Sequence, residues 1–248
     1  VPDRPDYSII IPAYNEEIQL ARTLPAIRAA MAEVPQLGEL IVVDNNSADR
    51  TTEVAERLGA TVVFEPVNMI SKARNAGAKA ARSNVFIFID ADTTVPSDLL
   101  KQTLEQMAWT NRVGGGANVQ LDPSPGGLTE KLAKLWNWTS RQMSYPAGSY
   151  FFCRSDAFED VGGFNESVYA SEEIWFARAL KRWGRRQAEP KKLHVFDIPV
   201  TTSARKLDNG PKVYGMLLLL LIFPFAVRFK SLCGYWYKRD DVESPSTS

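Results

Sequence analysis

The sequence predicts an α/β fold, with one domain built on a mostly parallel sheet flanked by helices and an apolar helical segment after it. Two observations carry this. Through the first hundred residues, short apolar β-branched runs alternate with stretches of helical period, the pattern of successive βα units. At 248 residues and 45% hydrophobic side chains the chain can also bury one large core, and no repeat or interdomain linker divides it.

Ser8-Ile9-Ile10-Ile11 is a continuous apolar run, as expected of a strand covered on both faces, and an amphipathic helix over 16–33 follows. Leu40-Ile41-Val42-Val43 is a second strand, ending at Asp44. Ser47 or Asp49 can cap the next helix, which runs to about Leu58, where Gly59 stops it. Thr61-Val62-Val63-Phe64 is the third strand, a helix spans 71–82, and Val85-Phe86-Ile87-Phe88-Ile89 is a fourth strand running directly into Asp90-Ala91-Asp92. Pro96 suits the first turn of a helix through about Ala108. Beyond residue 110 the alternation loosens. A strand over 113–121 carries Gly114-Gly115-Gly116, a helix spans 128–143, a strand 149–153, an amphipathic helix 171–183 and a late strand 193–198. The tail over 240–248 is polar, contains Ser and Pro, and is expected not to fold.

Composition narrows the function. Lys+Arg and Asp+Glu both number 29, so no global positive field exists to hold a polyanion and no nucleic-acid partner is expected. Cys153 and Cys233 lie far apart without a CxxC companion, which argues against a disulfide framework or structural zinc and fits a reducing, cytoplasmic compartment. With His194 the single histidine, any metal is expected to be held mainly by oxygen. Residues 1–6 are polar and the Ile9-Ile10-Ile11 run is too short for a secretory h-region. From the start at Val1 in place of Met, a fragment or trimmed chain is expected.

In open parallel sheets, ligands bind beyond the carboxyl ends of the strands. Here those ends carry Pro12-Ala13-Tyr14-Asn15-Glu16, Asp44-Asn45-Asn46-Ser47, Glu65-Pro66-Val67-Asn68 and Asp90-Ala91-Asp92. Carboxylates and amides dominate, and no GxGxxG or Walker A pattern is present, which disfavours a conventional dinucleotide or P-loop site. Asp90 and Asp92 are the sharpest signal. Two carboxylates one residue apart at the end of a buried strand repel each other unless a cation or hydrogen-bond donors compensate, and Mg2+ or Mn2+ is the natural cation. The competing reading has Asp92 capping the next helix while Asp90 faces solvent.

Ile9-Ile10-Ile11-Pro12-Ala13-Tyr14-Asn15-Glu16, Val42-Val43-Asp44-Asn45-Asn46-Ser47-Ala48-Asp49-Arg50-Thr51, Ala73-Arg74-Asn75-Ala76-Gly77 and Ile87-Phe88-Ile89-Asp90-Ala91-Asp92, in that order and spacing, closely resemble family 2 glycosyltransferases of the GT-A fold. Val161-Gly162-Gly163-Phe164-Asn165-Glu166 and Ser171-Glu172-Glu173 resemble that family's acceptor-side motifs. The resemblance runs from residue 7 to about 185. It implies a single GT-A domain over 1–205 with a Rossmann-like sheet, its nucleotide-sugar half to about 110 and its acceptor half beyond.

The resemblance further implies a nucleotide-diphospho-sugar donor of UDP or GDP type. Asp44 would accept a hydrogen bond from the base, Pro12, Tyr14 and Glu16 would line the base and ribose pocket, and Arg74 would reach the base or a phosphate. Asp90 would contact the ribose or donor sugar, and Asp92, with Asp90, would ligate Mg2+ or Mn2+ on the diphosphate. An Asx turn for Asp44 and a solvated helix face for Lys72 and Arg74 are the structural alternatives. An inverting transfer needs a base within hydrogen-bond reach of the acceptor hydroxyl. The family's usual position is the Asp of a Glu-Asp pair, so Glu173 is the aligned base and Glu172 its neighbour. Glu in place of Asp leaves a retaining outcome open, and both carboxylates could instead simply favour the helix dipole. His194 is either a further metal ligand or an edge residue tucked beside Asp197. Arg205, in a Ser-Ala-Arg segment like that of part of the family, would clamp the diphosphate. Trp136 and Trp138 read as core residues.

The run over 213–227, VYGMLLLLLIFPFAV, is uncharged. As a helix it spans roughly 22 Å, short of the ~30 Å hydrocarbon core, and Pro224 would kink it. Basic residues bracket it and Tyr235, Trp236 and Tyr237 follow, so 206–239 reads either as a monotopic membrane contact, which would bring a lipid-linked acceptor within reach, or as a helix packing on the domain or a second subunit. The competing functions are a non-catalytic nucleotide-sugar or glycan-binding module and a sugar-nucleotide pyrophosphorylase, though the first strand lacks the latter's Gly-rich loop.

Overall fold

A computed structural model of the chain describes residues 4–109, 111–124, 126–168 and 171–207. The first half reads β1 Tyr7–Ala13, α1 Glu17–Ala32, β2 Gly38–Asp44, α2 Thr51–Arg57, β3 Thr61–Phe64, α3 Ile70–Ala80, β4 Val85–Ile89, β5 Thr93–Thr94 and α4 Ser97–Met107. The second reads β6 Arg112–Asp122, α5 Gly127–Met143, β7 Tyr150–Arg154, α6 Ser155–Val161, α7 Glu172–Arg185 and β8 Lys192–Ser203, closed by a 3-10 turn at Ala204–Leu207.

All eight strands join one sheet in the order β3-β2-β1-β4-β7-β6-β8-β5. Its first four positions are parallel throughout. Strand β7 then enters antiparallel between β4 and β6, β8 runs parallel to β6, and the short β5 lies antiparallel on β8. The sheet is therefore mixed, with the expected parallel order concentrated in its first half. The reversal of β7 has a positional consequence, because it sets the start of β7 beside the carboxyl end of β4, with Ile89 paired to Tyr150.

Burial on both faces explains the continuous apolar strands. Ile9 and Ile11 point into one core with Val42, Ile87, Leu20 and Leu24 of α1 and Leu99 and Leu104 of α4. Ile10 points the opposite way, with Ile41, Val43 and Phe88, into a second core against α3, α6 and α7. Phe88, Phe158, Phe164 and Phe176 meet there, with Phe88 stacked on Phe158, the other pairs edge-on or tilted, and Phe164 and Phe176 centroids 4.3 Å apart.

Three elements fall outside the sequence reading. Helix α6 and strand β5 are too short for periodicity to register. Strand β8 passes its expected end because a register shift between Ala117 and Asn118 jumps from Phe196 to Pro199, so the proline sits at an irregularity that needs no ladder hydrogen bond. Among the described residues no helix is long and apolar enough to cross a membrane. The apolar run at 213–227, the aromatic residues at 235–237 and the tail at 240–248 lie outside the described residues.

The glycine run in β6 has a packing reason. A Cβ on Gly115 would lie 1.8 Å from the His194 carbonyl oxygen and 2.7 Å from the Phe152 ring, so only a bare backbone passes between β7 and β8. Gly115→Ala is expected to lower stability by about 1–3 kcal/mol, measured as a lower urea midpoint at unchanged slope.

Candidate functional site

In the strand order β2-β1-β4, the chain reverses direction of travel across the sheet at β1 and β4, which is where such sheets open a crevice. Ala13 and Asp44 end β1 and β2 in register. Asp90 follows β4, and its N–H donates to the Ser149 carbonyl at the start of β7. Thr93 pairs with Thr202, bringing the end of β8 to the same rim.

The loops after β1 and β2 are stitched together. Asn15 N–H donates to Ser47 Oγ, Ala48 N–H to Asn15 Oδ1, and Glu16 N–H to Thr51 Oγ1. Asp44 closes its own turn, with Oδ1 accepting from Ser47 N–H at 2.9 Å and Oδ2 from the Thr52 hydroxyl at 2.9 Å. The buried Asp44 carboxylate is thus tied into its own loop, by a bond to the N–H three residues on and not the two of an Asx turn. Pro12 and Tyr14 are half-buried beside it.

Two arginine-centred clusters occupy the rim. In the first, Arg205 Nη2 donates to both oxygens of buried Glu16 at 2.6 Å and approaches Asp92 Oδ2 at 3.5 Å, while Thr202 donates to Asp92 Oδ1 at 3.2 Å. Burial disfavours the Arg205 cation, and the contact with Glu16 and the charge of Asp92 outweigh it, so its pKa rises. In the second, Arg74 of α3 is 1% exposed. Its Nη1 donates to Glu172 Oε1 at 2.6 Å, and its Nη2 to Asp90 Oδ1 at 3.0 Å and the Gly148 carbonyl at 2.9 Å. The guanidinium carbon lies 5.2 Å from the Phe164 ring centroid. Burial again opposes the charge, and Glu172 and Asp90 overcome it. Arg74 is therefore a buried ion-pair hub and not a solvated helix face.

Glu173 sits against this hub. A Cβ placed on Gly148 would lie 3.7 Å from Glu173 Cδ and 3.3 Å from Arg74 Nη2, so the two side chains border the same small opening. Burial, with the charge of Glu172 adding, pushes the Glu173 carboxyl up to about 8. Glu172 and Glu173 both begin α7, as the helix-dipole alternative requires, yet Glu172 is buried on Arg74.

His194 is not brought to the rim. It lies eight residues before Thr202 on β8, roughly 25 Å along the strand, and packs edge-on against Phe196 with centroids 4.8 Å apart. Asp197 instead takes Asn118 and Arg141. The two tryptophans are corrected as well, since Trp136 is 39% and Trp138 55% exposed. They stand on α5, whose inward contacts come from Asn137 and Arg141.

Two asparagines carry structure that the residue-by-residue reading missed. Asn45 donates to the carbonyls of Glu65 and Val67 and accepts from Met69 N–H, tying β2 to the entry of α3. Asn75 donates to the Phe164 carbonyl and accepts from Phe164 N–H, fixing α3 to the Gly162-Gly163-Phe164 turn. Both lie inside motif blocks quoted from the sequence, where an amide next to a charged residue is the available signal.

The donor set bears on a metal. Among the described residues no three His, Cys, Asp or Glu side chains gather into a cage. Asp92 is buried with one cationic side chain already beside it, an oxygen ligand that suits a hard cation whose shell is completed by phosphate oxygens and water. Asp90 is turned to Arg74 instead.

Truncating Arg74 leaves Glu172 charged and buried, so Arg74→Ala is expected to cost about 3–5 kcal/mol of stability in urea unfolding. Glu172→Gln, which preserves an acceptor oxygen, is expected to cost less.

Residues 8–162 match the model of glycosyl transferase family 2. Glycosyltransferase AglE of Haloferax volcanii is 27% identical over 187 residues, 71% of this chain and 61% of its own length. The undecaprenyl-phosphate 4-deoxy-4-formamido-L-arabinose transferase of Pseudomonas aeruginosa is 33% identical over 129 residues, 47% of this chain and 37% of its own. The chain thus spans about two fifths to three fifths of the length of these relatives. In fold it resembles the mannosyltransferase PcManGT of Pyrobaculum calidifontis, solved with GDP-Man and Mn2+, at a TM-score of 0.65 and 18% identity over 98% of this chain and 67% of that one. It also resembles S. aureus TarS residues 1–349, solved with UDP-GlcNAc, at 0.62 and 20% over 80% and 58%. With a family model spanning most of its length, the chain belongs to glycosyl transferase family 2.

Proposed function

We propose that this chain transfers a sugar from a nucleotide-diphospho-sugar to a hydroxyl acceptor, with Glu173 as the base of an inverting displacement. The observation that carries the reading is the placement of Glu173 beside the Arg74 hub, at the rim where Asp44 ends β2, Asp90 follows β4 and Asp92 precedes β5. A carboxyl held near neutral pH is suited to taking a proton from an alcohol. The neighbours solved with GDP-Man and UDP-GlcNAc support a nucleotide-sugar of either base, and the undecaprenyl-phosphate transferase relative supports a lipid-linked acceptor.

The chain's own residues divide the work. Glu16, Pro12 and Tyr14, with the turn closed by Asp44, border the pocket proposed for base and ribose. Asp92 would hold Mg2+ or Mn2+ together with the donor's phosphate oxygens, and when bound such an ion neutralises charge on the departing diphosphate. Arg205, only part-buried at 35% side-chain exposure, can exchange its carboxylate partners for phosphate oxygens through the same planar fork. Arg74 positions Asp90 and Glu172 and fixes the charge around Glu173. Glu173 accepts the proton of the attacking hydroxyl.

The base must be ionised to act, so activity is expected to be present above the folded-state pKa and to fall as pH drops below about 8. Glu173→Gln is expected to lower kcat by ~100- to 10,000-fold, leave donor KM nearly unchanged and remove that acidic limb. A pH series of kcat/KM on both forms checks this, and a native-like profile in the variant refutes the assignment. Calorimetric titration of UDP and GDP with and without Mn2+ is expected to show metal-dependent affinity that Asp92→Asn lowers by ~10- to 100-fold, the worth of a lost charged contact.

A further inference from the structure

Helix α7 begins at the candidate site and carries a different kind of surface along its outer side. Trp175, Arg178, Arg182 and Arg185 are spaced i, i+3, i+7 and i+10, which sets them in one stripe, and all four are exposed. With Tyr145 and Lys181 they line a shallow groove of about 360 Å3. Lys181 Nζ lies 3.7 Å from the Tyr145 ring centroid and donates to the Met143 carbonyl, joining the end of α5 to this face. Arg178 lies 5.7 Å over the Trp175 ring. Among the described residues none of Arg178, Lys181, Arg182 or Arg185 has an ion-pair partner, so four cations stand together uncompensated. Their crowding is visible at Lys181, where burial and then the charges of Arg185 and Arg178 push the pKa down.

Apolar side chains flank the cations. Met143 is 59% and Trp136 39% exposed, seven residues apart and hence on one flank of α5, and Trp175 adds a further 36% exposed ring. Exposed aromatic and aliphatic groups beside unpaired arginines match a surface that is apolar below and anionic above.

We propose that this face of α5 and α7 docks on an anionic lipid bilayer, with Trp136, Met143 and Trp175 entering the interfacial layer and Arg178, Arg182 and Arg185 meeting lipid phosphates. A nucleic acid would satisfy the arginines but offers no apolar medium for Met143 and Trp136. None of these side chains belongs to the apolar run at 213–227. Glu173 precedes Arg182 by nine residues, about 13 Å along the helix, so docking holds the candidate base close to headgroup level. That consequence rests on the transfer reading; the docking itself does not.

The test is flotation of the full chain with vesicles of phosphatidylcholine alone and of phosphatidylcholine with phosphatidylglycerol. Native protein is expected to float with the anionic vesicles only and less so in high salt. Removing three surface cations is expected to lower the partition coefficient at least about a hundredfold, so R178E/R182E/R185E should remain at the bottom while R178K/R182K/R185K floats like the native chain. Equal flotation of the Glu variant, or indifference to phosphatidylglycerol, overturns the proposal, as does retention on an RNA column without vesicle binding. Hydrolysis of the nucleotide-sugar in solution separates the two readings. The Glu variant is expected to keep native hydrolysis while losing flotation. A native chain that floats but hydrolyses no nucleotide-sugar sinks the transfer reading and leaves the docking surface standing.

Discussion

One buried guanidinium ties the two halves of this protein together. Arg74 comes from α3 in the first half, yet its hydrogen bonds go to Asp90 at the end of β4, to the Gly148 carbonyl before β7 and to Glu172 at the head of α7. A charge at 1% exposure is tolerable only when its partners are fixed, so its burial constrains where β4 ends and where β7 and α7 begin. The aromatic cluster serves the same point, because Phe164 packs under the guanidinium while Phe158 and Phe176 hold Phe164 in place. Asn75, the next residue on α3, locks the Phe164 backbone from the other side. Position at the rim is thus set by core packing and a salt-bridge hub acting together.

The two arginines at the rim share a chemistry and differ in freedom. Arg205 is also bound to two carboxylates, but its side chain is 35% exposed against 1% for Arg74. Coulombic attraction at a solvated position is screened and replaceable, whereas at a buried one it is structural. The first cluster can therefore open to an incoming anion while the second holds its geometry. A zero net charge conceals this arrangement, since acidic groups gather at the strand ends with arginines among them, while cations without an ion-pair partner among the described residues gather on the outer side of α7.

Legibility in the sequence followed the same physical lines. The parallel half of the sheet was readable because strands covered on both faces leave uninterrupted apolar runs such as Ile9-Ile10-Ile11, and strand ends with Asp44 and Asp90 announce the rim. The reversal of β7 left no local mark, since Tyr150 to Cys153 would read identically in either direction. The extension of β8 was hidden by Pro199, which periodicity treats as a terminator although an irregularity accommodates it. Within the site, residue types were legible and partners were not. Arg74 stood out as a charged residue on α3, but only the folded chain shows it buried on Glu172 and Asp90. His194 drew notice for its chemistry alone, and strand length carries it away from the rim. General preference turns Trp136 and Trp138 inward, while the side of α5 that faces β6 is set by Asn137.

If Glu173 is the base proposed above, its raised carboxyl places stability and activity in opposition. Its folded pKa stands near 8 against an ordinary 4.5, so between those values the folded chain binds a proton that the unfolded chain has released. Linkage then requires stability to fall as pH rises across that window. The same rise in pH produces the ionised carboxylate that a base needs. The cause is the surroundings of Glu173, in burial first and in the charge of Glu172 second, and Arg74 only partly offsets them. The replacement of a usual Asp by Glu acts within this constraint, because the longer side chain reaches the same opening beside Gly148 from a helix whose start is already fixed by Glu172 on Arg74. On the proposed reading, burial beside the Arg74 hub is what tunes Glu173 toward acid–base work, whereas carboxylates that served only the helix dipole would stay solvated.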